Sequence, residues 1–156
     1  MPIFVAFVKR YMLLSFFVLA YILSWWPSLF TTSLNPFGPL LAALIVVPLV
    51  GGKMGLKEWW SNITRWRGGL GWYAAALLLP FAINFMATAL TVLFGAPFPS
   101  ETTLSRWPEL LITFPLYFLA FGPLGEEPGW RGFAMPRLLK GRSALTASLI
   151  LGLLIA

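Results

Sequence analysis

The 156-residue sequence contains no cysteine and no histidine. The first absence removes disulfides, thiolate metal sites and a cysteine nucleophile together. The second removes the commonest side chain for general acid–base work and for metal ligation near neutral pH. Charge is also scarce: 10% of residues are charged, with five acids against eleven bases and a formal net charge of +6. A soluble globular domain carries about 25% charged residues, so that class is excluded. What fills the chain instead is apolar: 59% hydrophobic residues, 17% of all residues aromatic, and a mean hydropathy of +0.83.

Several apolar runs approach the ~20 residues that a helix needs to cross the hydrocarbon core. The expectation is an all-α, polytopic integral membrane helical bundle of about five transmembrane helices, in a single membrane domain over residues 1–156, with membrane lipid as its surroundings. A pI near 10.2 would also suit a nucleic-acid partner. However, the lysines and arginines fall in short clusters between apolar runs, where positive-inside topology accounts for them, and no nucleic acid is expected.

Lys9-Arg10 precede a first apolar run, Tyr11 to Trp26, which ends in paired tryptophans suited to an interface. Bulky tryptophans stand where a signal peptide would need small residues for cleavage. The uncharged stretch Ser28 to Pro36 is expected outside. A second span, Phe37 to Val50, returns to Lys53. In the next segment, Gly55 to Arg67, Leu56, Trp59, Trp60 and Ile63 recur at helical spacing, which predicts an amphipathic helix lying in the cytoplasmic interface. A third helix runs from Trp72 to Phe94, an external loop spans Gly95 to Glu109, and a fourth helix runs from Leu110 to about Leu124. On this topology ten of the eleven basic residues are cytoplasmic and Arg106 alone is external. The N-terminus is then cytoplasmic, and its basic flank fits a bacterial plasma membrane. A fifth apolar run, from Ser143 to Ala156, is too short to span, so the chain is expected to be incomplete at its C-terminal end, with the last helix truncated.

The fourth helix ends at Glu126-Glu127-Pro128-Gly129-Trp130-Arg131. Ionisable groups at membrane depth cost roughly 2.5–3.5 kcal/mol even on lenient scales and mark functional sites. On a helix Glu127 and Arg131 are spaced i, i+4 in the favourable order and can pair, while Glu126 projects about 100° away. One acid is then neutralised and the other left in poorly solvated surroundings, a state suited to general-base activation of water. Gly122, Pro123, Gly125, Pro128 and Gly129 are numerous enough to kink or break a helix and open a cavity. The competing interpretation makes these residues cytoplasmic caps, with Glu127 before Pro128 at a helix start.

The whole stretch Gly125-Glu126-Glu127-Pro128-Gly129-Trp130-Arg131-Gly132-Phe133-Ala134-Met135-Pro136-Arg137-Leu138 resembles the first motif of the CAAX protease and bacteriocin-processing family of intramembrane proteases, also named abortive-infection proteins. That motif is Glu-Glu-x-x-x-Arg followed by Gly, an aromatic residue and Pro-Arg-Leu. The resemblance implies an all-helical membrane endopeptidase acting on a peptide or protein substrate, in one branch a prenylated one. It also implies catalytic roles for Glu126 as the base and for Glu127 and Arg131 in support. In the family, later motifs supply histidines, taken as ligands of a divalent metal such as zinc or as partners of the water. No histidine is present here, so no metal ligands or cofactor residues are assigned, and a chain ending at Ala156 is expected to be inactive by itself.

Two other readings fit less well. One is a non-catalytic membrane protein of the same fold, in a self-immunity or scaffold role. The other is a transporter with a glutamate proton relay, disfavoured because no second broken helix balances the acids.

Overall fold

The computed structural model describes residues 3–65, 68–98, 100–101, 105–120 and 122–155. Trp66, Arg67, Pro99, Phe121 and Ala156, which the sequence reading placed in loops or helices, lie outside the described residues. Among those described there is helix and no strand, as expected for an all-α membrane bundle. The helices are α1 (Ile3–Arg10), α2 (Met12–Trp25), α3 (Gly38–Ile63), α4 (Leu70–Leu93), α5 (Leu110–Ala120), α6 (Pro123–Gly129), α7 (Met135–Leu138) and α8 (Ala144–Ile155), with a π-helical turn, Trp130–Ala134, joining α6 to α7. Three segments are long and apolar enough to cross a membrane: Met12–Leu29, Gly38–Ile63 and Leu70–Leu93. The fourth and fifth expected spans are shorter, 11 residues in α5 and 12 in α8.

The chain divides into two compact units, one of residues 1–65 with 113–156 and one of residues 66–112. The second unit contains α4, where Pro80 sits inside the helix and Asn84 Nδ2 donates to the Pro80 carbonyl at 2.8 Å. It also holds a forked ion pair, Arg106 Nε and Nη2 donating to the two carboxylate oxygens of Glu109 at 2.8 Å each. Both partners are exposed, so the pair contributes little to stability.

The first unit packs around Phe16, Phe133, Val46 and Val47, all essentially inaccessible. Apolar side chains gain little from leaving lipid for protein, so helices in a membrane associate through close packing at small residues. That is how α2 meets α3: Ala20, Ala42 and Ala43 are fully buried between them. At Gly38 the helices come so close that an added Cβ would lie 2.8 Å from the Ala20 carbonyl oxygen. Asn35 fixes the connection, donating from Nδ2 to the Leu23 carbonyl at 3.0 Å and accepting from the Phe37 N–H at 3.1 Å. Ser143 caps α8, its Oγ accepting from the Thr146 N–H at 3.2 Å.

The segment Gly55 to Arg67 departs from expectation. At Gly52 the backbone takes φ 58° and ψ −151°, a region open essentially to glycine alone, and the chain reverses. In a straight helix residues 47 and 55 would be about 12 Å apart along the axis. Here a Cβ at Gly55 would come within 3.4 Å of the Val47 carbonyl oxygen, and Leu40 lines the same crevice as Trp60. The residues after Gly52 thus form the second arm of a hairpin instead of lying flat at an interface. Trp59 is 3% exposed and faces the core, whereas Trp60 is 61% exposed; only part of the expected amphipathic face is therefore turned outward.

Candidate functional site

Helix α6 begins at Gly122-Pro123. Proline suits a first turn because its missing N–H would have had no helical partner. Glu126 and Glu127 lie inside this helix, so Glu127 is not the cap before Pro128 that spacing alone allowed. The five glycines and prolines do not break the chain either. After Pro128 and Gly129 it continues through the π turn, where the Met135 N–H donates to the Trp130 carbonyl five residues back, and on to Leu138. Single π turns inside helices recur at functional sites.

Close backbone approaches hold this helix in place. A Cβ at Gly125 would lie 2.5 Å from the Pro36 carbonyl oxygen, one at Gly129 2.5 Å from that of Pro39, and one at Gly132 2.5 Å from Ile63 Cγ2. Helix α6 therefore starts beside the Asn35–Pro36 connection and runs toward Gly55 and Glu58, which share a crevice with Arg137 and Lys140.

The placement corrects the expected topology. Glu126 shares an end of the unit with Trp25, Asn35 and Pro36, whereas the sequence reading put the loop Ser28 to Pro36 outside and Glu126 inside. Lys53 and Lys140 lie toward the other end. The reason is the hairpin at Gly52, which adds a traverse that hydrophobic runs do not reveal.

Glu126 lines a cavity of about 480 Å³ together with Tyr21, Trp25, Asn35, Trp130 and Leu154. It is the one carboxylate among the described lining residues. The Tyr21 hydroxyl donates to the Leu154 carbonyl, tying α8 to α2 across one side of this space. Partial withdrawal from water raises the Glu126 pKa above the ordinary 4.5; the adjacent Glu127 charge raises it further, and a hydrogen bond from the Trp130 side chain opposes both. Glu127 is turned away from the cavity and paired with Arg131 Nε, as its i, i+4 spacing predicted. That ion pair is exposed, with Arg131 75% and Glu127 45% accessible.

The two acids thus have different partners. Glu127 has a cation one turn on, and Glu126 has a neutral indole one turn on. Spacing exposed the first pair, but the same i, i+4 rule applied to Glu126 leads to Trp130, which the sequence reading passed over. Trp130 is 8% exposed and wedged against Phe16 and Phe17, with ring centroids 5.5 and 5.8 Å away.

Among the described residues no three His, Cys, Asp or Glu side chains converge. Two adjacent glutamates, one of them engaged by Arg131, do not make a zinc site, which takes three or four protein ligands. The residues present therefore do not fit the metal that the family resemblance implied.

Residues 107–156 match the family described as type II CAAX prenyl endopeptidase Rce1-like. The match bears out the resemblance over the final third of the chain, including Glu126, Glu127, Trp130 and Arg131. No curated protein and no solved structure matches the chain.

Proposed function

We propose that this chain carries the glutamate half of an intramembrane endopeptidase of the CAAX protease type, with Glu126 as the general base. The observation that carries the reading is the pairing of a cavity with a single carboxylate whose pKa is raised, inside the segment that matches the family. The Glu126 carboxylate accepts a proton from a water molecule as the water oxygen bonds to the substrate's carbonyl carbon. It then returns that proton to the leaving nitrogen as the C–N bond breaks. A base works best when its pKa lies near the operating pH, and a raised glutamate is moved in that direction. Glu127, tied to Arg131, keeps a negative charge beside Glu126 without competing for the same water.

The oxyanion that develops needs hydrogen-bond donors, and the histidines that later family motifs supply are absent from these 156 residues. On this proposal the chain alone holds the base without its complement. The substrate is a peptide or protein at the membrane, in the family's prenylated branch a lipid-modified tail. Lys9, Arg10, Lys53 and Lys140 mark the cytoplasmic end by the positive-inside rule.

The test is cleavage of a CAAX-type peptide by membranes carrying the full reading frame that contains this chain. Glu126→Gln is expected to lower turnover about 10²–10⁴-fold with the amount of inserted protein unchanged. Undiminished cleavage would remove Glu126 as the base.

A further inference from the structure

Four residues in sequence, Glu126-Glu127 and Trp130-Arg131, form two parallel i, i+4 pairs on one helix. The Glu127–Arg131 pair points outward and is exposed. The Glu126–Trp130 pair points into the cavity, and both of its members line that space. A glutamate side chain has three rotatable bonds, so an unrestrained carboxylate at the mouth of a 480 Å³ cavity would sample several orientations. A partner that is itself immobile restricts it.

Trp130 is immobile for a packing reason. Its ring stacks on Phe17 at an interplanar angle of 21° and meets Phe16 edge-on at 89°. Phe16 in turn lies 4.8 Å, centroid to centroid, from Phe133, one turn further along the same helix. The indole is thereby clamped between α2 and its own helix, with its one donor, Nε1–H, directed at the Glu126 carboxylate. A tryptophan at this position combines an apolar body that locks into the core with a polar tip that reaches the cavity. Phenylalanine would supply only the body, and arginine would supply a charge that neutralises the base.

We propose that Trp130 is the positioning residue of Glu126, its clamped indole N–H holding the carboxylate toward the cavity while leaving it without a counter-ion. This rests on the reading of Glu126 as the base and goes beyond it by assigning the group that orients that base. A neutral donor stabilises the carboxylate by a hydrogen bond alone, so the acid keeps proton affinity that a salt bridge would abolish. Glu127, with Arg131, has the opposite arrangement on the same helix.

The decisive experiment needs no enzymatic activity. In the detergent-solubilised chain, the side-chain carboxyl of Glu126 is titrated by carbon NMR, assigned through Glu126→Gln, in wild type and in Trp130→Phe. Loss of the donor is expected to move the Glu126 midpoint upward, and an unchanged midpoint would overturn the proposal. The Trp130 indole N–H resonance provides the second measurement should Trp130→Phe fail to fold. It is expected to shift with pH along with Glu126 in wild type and to lose that dependence in Glu126→Gln; an indole resonance indifferent to pH in wild type would overturn the proposal. In the full reading frame, Trp130→Phe is expected to lower kcat roughly tenfold to a hundredfold, as misplacement of a reacting group does, with KM little changed. Coupled titration without Glu126-dependent cleavage would uphold the contact and sink the endopeptidase reading instead.

Discussion

The indole N–H of Trp59 donates to the carbonyl oxygen of Pro128 at 3.0 Å, across 69 positions of sequence. It joins the returning arm of the Gly52 hairpin to the site helix two residues before the π turn, and two residues after Glu126. Trp59→Phe keeps most of the buried ring and deletes the donor. An unfolding measurement in detergent is expected to show a loss of about 1–2 kcal/mol, the usual effect of leaving a buried acceptor unsatisfied. A change smaller than the error of such a measurement would mean that water or another group satisfies the carbonyl.

At Gly125 and Gly129 the obstacle to a side chain is backbone, the Pro36 and Pro39 carbonyls, each 2.5 Å from an added Cβ. Backbone cannot rotate aside, so Gly125→Ala and Gly129→Ala should each cost about 1–3 kcal/mol through overpacking. Gly152 in α8 has nothing within 4 Å of the added atom. Gly152→Ala is expected to be neutral or to gain about 0.5–1 kcal/mol from helix propensity. Thermal midpoints of the three variants, measured side by side, test the ordering.

Because the Glu126 pKa is raised in the folded chain, the folded state binds more protons than the unfolded state between pH 4.5 and the raised value. Stability therefore falls as pH rises through that window and stays lower above it. Glu126→Gln removes this slope. Its unfolding midpoint should match the wild type near pH 4 and exceed it near pH 7–8, a gap that opens with pH. A gap that closes with pH would reverse the assignment.

Composition and apolar run lengths were enough to show a helical membrane chain, and the first span, expected at Tyr11 to Trp26, lies within one residue of α2. The same holds for Glu127 and Arg131, because i, i+4 pairing is local. The reversal at Gly52 was not legible, since a Gly51-Gly52 pair between two amphiphilic stretches fits an interfacial turn as well as a hairpin. Nor could glycine and proline content show that the helix from Pro123 continues past Pro128. Continuity there depends on packing from Pro36, Pro39 and Trp59, partners that are remote in sequence. Trp59 and Trp130 were hidden for a related reason: in a chain with 8 tryptophans, an indole that anchors in lipid and one that donates to a helix carbonyl have the same neighbours in the string.

The Gly52 reversal also carries a lesson in parity. Sidedness in a membrane chain is a running count, and one uncounted traverse inverts the assignment of every later residue in the same unit. With the hairpin included, both ends of the segment Gly38–Ile63 emerge at the end where Glu126 sits, and the tip residue Lys53 lies at the other. Arg65, two residues past that segment, is then on the carboxylate's side and not with the lysines. A count of hydrophobic runs would have the right number of helices yet the wrong address for the catalytic acid.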